Sequence, residues 1–388
     1  MLWQPPLAPR YHDLSDEQLA DAIAVRKAQL GSDLVILGHH YQQDSVIQFA
    51  DFTGDSFKLS QLAAQRVRES GAKYVVFLGV HFMAETADIL TDPAVQVILP
   101  DLGAGCSMAD MANEEQTSEA WDMIHEAIGN KPVRVIPICY MNCTAAIKSF
   151  CGEHGGAVCT SSNASAIIQW ALAGGDTPLA PGESVKILFL PDQHLGRNTA
   201  DQLGFDIDKD TAVWDPQALE PLDARTIEQA TFLLWKGHCS VHKLFRPEHV
   251  DQVREAWPNV TVIAHPECSV EVCQKADRTG STEAIIQAIA QAPPKSQWAI
   301  GTEVHLVNRL AHEAKARQVQ VRMLSDCQCL CTTMYRIDMP HVLWVLDELA
   351  AGRVANPIRV PSDIQQGASL ALDRMLRITA ELSPAGAR

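Results

Sequence analysis

Hydrophobic and polar positions along this chain alternate between two rhythms. Leu14 to Leu30 carries a helical period, with Ser15 and Gln18 placed as a capping box and Gly31 as a stop. DLVILGHHYQ then reads as a buried strand that ends in a polar loop. A turn, Gly54-Asp55-Ser56, opens the next helix. YVVFLGVHFMAETADIL is another strand followed by another helix, and VILPDLGAGC closes the series. Strand, loop and helix in repetition predict a parallel sheet covered by helices.

The series occurs three times. First strands and their loops read VILGHHYQ at Val35, VIPICYMN at Val135 and VIAHPECS at Val262. Small hydroxyl turns follow in TGDSFKLSQLA, CTSSNASAIIQWA and TGSTEAIIQAI. Ser56, Ser161 and Thr282 in these turns are read as opening helices, where a hydroxyl beside free N–H groups suits a carboxylate or phosphate. Second strands end at His81, His194 and His305, read as core or interface groups. Third strands meet cysteines: Cys106, then Cys239, then Cys327, Cys329 and Cys331. The fold expected is α/β, with three pseudo-symmetric α/β/α domains whose small parallel sheets surround a central active site. Their bounds are 10–108 with 332–388, then 109–238, then 239–331. MPHVLWVLDELAAG predicts a helix with Pro340 near its start, and 362–382 predicts another. Both are expected to pack on the first domain. The turn-rich stretch 201–225 is expected to be a lid or surface excursion.

Composition narrows the chemistry. The 388 residues exceed one ordinary core, and 47% hydrophobic with 20% charged is an ordinary globular balance. A net charge of -16 argues against nucleic acid or an anionic membrane as partner. No apolar run reaches bilayer length and no signal-peptide pattern opens the chain, so a cytoplasmic location is expected. In that compartment the 11 cysteines are expected as thiols or metal ligands rather than disulfides. Loops leaving the carboxyl ends of parallel strands carry function. Three such loops, each with a thiol, would hold an iron-sulfur cluster and leave one iron open as a Lewis acid. Zinc normally takes close cysteine pairs, whereas Cys106 and Cys239 stand alone and the CQCLC spacing matches no common zinc knuckle.

GHHYQ, FTGDS, GCSMAD, YMNCTA, CTSSNA, WKGHCSVH, HPEC, GST and Cys331-Thr-Thr-Met334 resemble, in order, the motifs of the quinolinate synthases, the A proteins of bacterial NAD biosynthesis. The resemblance runs from about Val35 to Met334. It implies a 4Fe-4S cluster held by Cys106, Cys239 and Cys331, with Cys327 and Cys329 as the other candidates for the third position. It implies condensation of iminosuccinate (iminoaspartate) with dihydroxyacetone phosphate, releasing phosphate and water. It also implies that L-aspartate oxidase supplies the imine. The substrate-binding positions it implies are His39, Ser56, Tyr140, Met141, Asn142, Ser161, His265, Pro266, Glu267 and Thr282. Glu267, His39 and Tyr41 are the expected proton-transfer groups. Glu267 is expected to have a raised pKa because its pocket should be dry. His238 and His242 flank Cys239 as groups that would tune a cluster.

Two other classes compete. An aconitase-type hydro-lyase is disfavoured, because its ligands include a close cysteine pair. An iron-sulfur sensor or electron carrier would need a fourth cysteine ligand or a basic DNA-binding segment, and neither is visible.

Overall fold

In a computed structural model, which describes residues 4–327 and 329–382, the chain is α/β. It divides into two compact units. One comprises Met1–Cys106, Thr302–Arg322 and Gln328–Val360; the other comprises Ser107–Gly301, Met323–Cys327 and Pro361–Arg388.

The first unit is built on one sheet, in the order Pro357–Ile358, Gln96–Ile98, Tyr74–Leu78, Leu34–His39, Phe52–Gly54. All its pairings are parallel except the edge strand Pro357–Ile358. Leu34–His39 is buried along its whole length, as a central strand covered on both faces must be. Helix Asp16–Leu30 has the expected capping box of Ser15 and Gln18 and ends at Gly31, whose φ of 53° lies in the region open to glycine. Helix Met339–Ala350 packs against it, with Pro340 in its first turn. Arg26 Nε reaches Asp347 at 2.6 Å across this contact.

The second unit carries the sheet Ala157–Cys159, Val133–Tyr140, Ser184–Leu190, Phe232–Trp235, Thr211–Trp214. It also carries the parallel strands Arg278–Thr279, Val260–Ala264 and Gln297–Gly301. In each of the three sheets the first strand of the repeat lies between its second strand and the short strand that follows the first-strand loop, Phe52–Gly54, Ala157–Cys159 or Arg278–Thr279. Register matches too: Leu37 faces Phe52, Ile138 faces Ala157 and Ile263 faces Arg278. Each repeat therefore delivers its first-strand loop at the carboxyl end of a central strand.

Two expectations need correction. The C-terminal helix Ser362–Leu382 does not pack on the first sheet. It lies on helix Ala145–Glu153 and strand Ala157–Cys159, within the second unit. Small residues permit this crossing: a Cβ on Gly152 would stand 1.9 Å from the Gly367 carbonyl oxygen. Arg374 Nη1 then donates to the Gly152 and Gly156 carbonyls at 2.8 Å each. The segment 201–225 is not a lid alone, because Thr211–Trp214 pairs in parallel with Phe232–Trp235 as an edge strand. Gly152→Ala should destabilise the chain by about 1–3 kcal/mol, the cost of overpacking where backbone must shift. A lower urea midpoint checks it, and an unchanged midpoint contradicts the crossing.

Candidate active site and metal centre

The first unit gathers three loops. His39 ends its strand and is 4% exposed. Its Nδ1 accepts the Tyr41 backbone N–H at 3.1 Å, which leaves Nε2 as the N–H donor of the neutral ring. Tyr41 packs edge-on to His39, and its hydroxyl shares a 2.8 Å hydrogen bond with the buried Thr302. Arg309 fixes this loop by donating to the carbonyls of His40 and Gln42. Gln42 Nε2 donates to the Met334 carbonyl at 3.1 Å, so the His39–Gln42 loop is tied to the segment that follows Cys331. Arg336 Nε meets Asp101 at 3.0 Å, which ties the same segment to the loop before Cys106. Ser56 is the first residue of its helix, and the side-chain cap is Asp55, which accepts from Lys58 N at 3.0 Å.

The second unit holds the buried chemistry. Tyr140 ends strand Val133–Tyr140, with the buried Met141 next and then Asn142. His265, Pro266 and Glu267 follow strand Val260–Ala264. His265 Nδ1 accepts the Glu267 backbone N–H at 3.3 Å, the same i to i+2 device as His39 and Tyr41. Glu267 Oε2 lies 2.5 Å from His242 Nδ1 and 3.7 Å from His265 Nδ1. The two imidazoles stack with centroids 4.5 Å apart. Cys239 leaves strand Phe232–Trp235, and the ligand atoms of Cys239, His242 and Glu267 all lie within 4.8 Å of one another. The sequence reads His242 as a group flanking Cys239 that would tune a cluster; the structure also places it directly against Glu267.

The expected rise in the Glu267 pKa is overturned. Burial does push the carboxyl up, but it is outweighed by His242, His265 and a hydrogen bond from Tyr140, which bring it to about 2. Glu267 is therefore held as a carboxylate. Burial lowers His265 to about 3, with His242 adding to the effect, so that ring is neutral. The counterweight sits on Asp192, which sequence reasoning missed. It is fully buried and raised well above the carboxylate range, by burial first and by Glu267 second. A signal existed: Asp192 and Glu303 each precede a repeat histidine by two residues. Both carboxylates cap their helices, by accepting from the N–H groups of His194 and Leu195 and of His305 and Leu306.

A cavity of about 250 Å³ lies beside this cluster in the sequence of loops, lined by Ser161, Asn198, Pro266, Gly280 and Ser281 among others. The cap of helix Thr282–Ala290 is Ser281, which accepts from Ala284 N; Thr282 is its first residue and is buried. Ser161 is not a cap. Its helix begins at Ala164, and Asn163 turns back to accept from Thr160 N at 2.6 Å. Two of the three hydroxyl turns thus face one cavity.

None of the eleven cysteines is in a disulfide. Cys106, Cys239 and Cys331 are the three of intermediate exposure; Cys327 is exposed and the remaining seven are buried. Thiols that must bind a group and stay reachable fit that middle class. Cys329 is sealed in the core, its carbonyl accepting from Val304 N. Burial raises the Cys331 thiol, which lies 3.6 Å from the Thr333 hydroxyl.

His194 opens its helix, and burial lowers it to about 4, helped by the charges of His238 and Arg197. The folded state thus favours neutral His194, while the unfolded chain protonates near about 6.5. Stability should be fully present above that pH and fall as pH drops toward 4, by up to about 1.4 kcal/mol per pH unit. Urea unfolding from pH 7 to 5 should show a shallower decline for His194→Gln; an equal decline contradicts the assignment.

A carboxylate, two imidazoles, a phenol and a thiol at the ends of parallel strands define an α/β enzyme with a candidate metal centre. The family model described as quinolinate synthetase A protein matches residues 21–377. A quinolinate synthase of Acidobacterium capsulatum is 52% identical over 95% of this chain and 95% of its own length. Those of Bacillus subtilis, at 48% over 95% of each chain, and Streptomyces coelicolor, at 50% over 94% and 89%, are similar. The chain belongs to the quinolinate synthase family. Among the described residues no helix is long and apolar enough to cross a membrane.

Proposed function

We propose that the chain condenses iminosuccinate with dihydroxyacetone phosphate to give quinolinate, phosphate and two waters, as a step of NAD biosynthesis in the cytoplasm. The observation that carries this reading is the ionised Glu267 set against His242, His265 and Tyr140 beside Cys239. The donor set fits a 4Fe-4S cluster, since Cys106, Cys239 and Cys331 alone combine a loop position with intermediate exposure. When bound on these thiols, the cluster supplies a Lewis-acidic iron. We take the three repeats to be the domains, with the bounds expected from the sequence except that the last helix belongs to the second.

Each residue then has a stated task. Glu267, held as a carboxylate beside His242, is the acceptor for the protons that carbon–carbon bond formation releases. His39 Nε2–H and the Tyr41 hydroxyl donate to substrate oxygens. Tyr140, Met141, Asn142, His265 and Pro266 shape the pocket. Ser56, Ser161 and Thr282 lie at or near helix starts, where backbone N–H groups favour the carboxylates and phosphate of both substrates. The imine hydrolyses in water, so direct supply by L-aspartate oxidase suits the reaction.

Isotope-labelled dihydroxyacetone phosphate tests the substrates. Its three carbons should appear in quinolinate with one phosphate released per ring formed. Phosphate release without labelled quinolinate would contradict the reading.

A further inference from the structure

Cys239, His242 and Glu267 come from two segments of the second unit and form a compact donor set by themselves. Lys243 N donates to the Cys239 carbonyl at 3.0 Å, and this turn brings the thiol and the His242 ring to the same side. Glu267 Oε2 closes on His242 Nδ1 at 2.5 Å. Sulfur, nitrogen and oxygen lie within 4.8 Å of one another, and a tetrahedral ion with bonds of about 2.0–2.3 Å spaces its ligands about 3–4 Å apart, so the widest separation closes by about 1 Å while the 2.5 Å Glu267–His242 pair opens by a similar amount. Charge fits as well. One thiolate and one carboxylate neutralise a divalent cation, which a buried site requires. A second observation points the same way: Asp192 Oδ2 is fully buried with no hydrogen-bond partner among the described residues, and its carboxyl interacts electrostatically with Glu267. Cys239, the least buried of the three, offers the way in.

We propose that in the cluster-free chain Cys239, His242 and Glu267 form a mononuclear site for a zinc-class divalent cation. An occupied site is closed to cluster assembly, because both need the Cys239 thiolate. The inference does not depend on the reaction proposed above, since its readout is metal binding by the full chain before any cluster is built.

Anaerobic titration of the reduced, metal-free chain with Co²⁺ tests it. One equivalent should bind with a single thiolate-to-cobalt charge-transfer band, and Zn²⁺ should displace it. The band should vanish in Cys239→Ser and persist in Cys331→Ser. In His242→Asn, a near-isosteric change that keeps the fold testable, affinity should fall more than about tenfold. Zinc-loaded chain should also take up iron and sulfide more slowly than zinc-free chain. No thiolate band in the wild type, a band retained in Cys239→Ser, or its loss in Cys331→Ser would each overturn the site. Equal iron uptake with and without zinc would overturn the competition. Quinolinate formation by cluster-loaded chain is read separately, so failure of either reading leaves the other visible.

Discussion

Glu267→Gln should lower kcat about 10²–10⁴-fold, the range lost with a general acid–base group. The chain should remain folded and should still take up iron. The reasoning rests on charge. Glu267 is the ionised centre of a buried group in which His242, His265 and Tyr140 all bear on one carboxylate. The amide keeps the shape but loses the negative charge and the ability to hold a proton. Because the native carboxyl is held near about 2, the loss should not recover at raised pH. Substantial turnover in this variant would remove Glu267 from the proton path. Parallel spectra of the cluster separate that outcome from loss of the metal.

Cys331→Ser should abolish both iron retention and turnover. Losing a Lewis acid worth several kcal/mol corresponds to more than about a thousandfold in rate. Cys327→Ser should retain both, because Cys327 is exposed and its sulfur lies against Ser325 Oγ at 2.9 Å. Cys329→Ser should act through stability instead, since it places a hydroxyl in a fully buried position. Iron content and urea midpoint measured on all three variants distinguish these effects. Iron retained in Cys331→Ser but lost in Cys329→Ser would move the third ligand to Cys329.

Much of this was legible in the sequence because it depends on local rules. The capping box at Ser15, Pro340 at a helix start and the buried strand at Val35 follow from neighbours in the chain. The repeat alone places His39, Tyr140 and His265 at equivalent strand ends. Other features depend on partners far along the chain. The Glu267 pKa was misjudged because burial alone predicts a rise, and the opposing effect comes largely from His242, 25 positions away in number, through a 2.5 Å contact. Amphipathic period gave helix 362–382 but not its neighbour. Its site was chosen by Gly152 and Gly367, small residues that matter only as a facing pair. Strand Thr211–Trp214 was hidden among turn residues, because an edge strand of four residues carries little periodic signal. Which ring nitrogen of His39 carries the proton follows from the Tyr41 backbone N–H, which no pattern of residue types states.

The most direct test is anaerobic reconstitution of the full chain with iron and sulfide, followed by iron analysis and a quinolinate assay on the same sample. About four irons per chain, with quinolinate formed from iminosuccinate and dihydroxyacetone phosphate and lost on exposure to oxygen, is the predicted result. Stable binding of four irons without quinolinate, or quinolinate from iron-free protein, would contradict it.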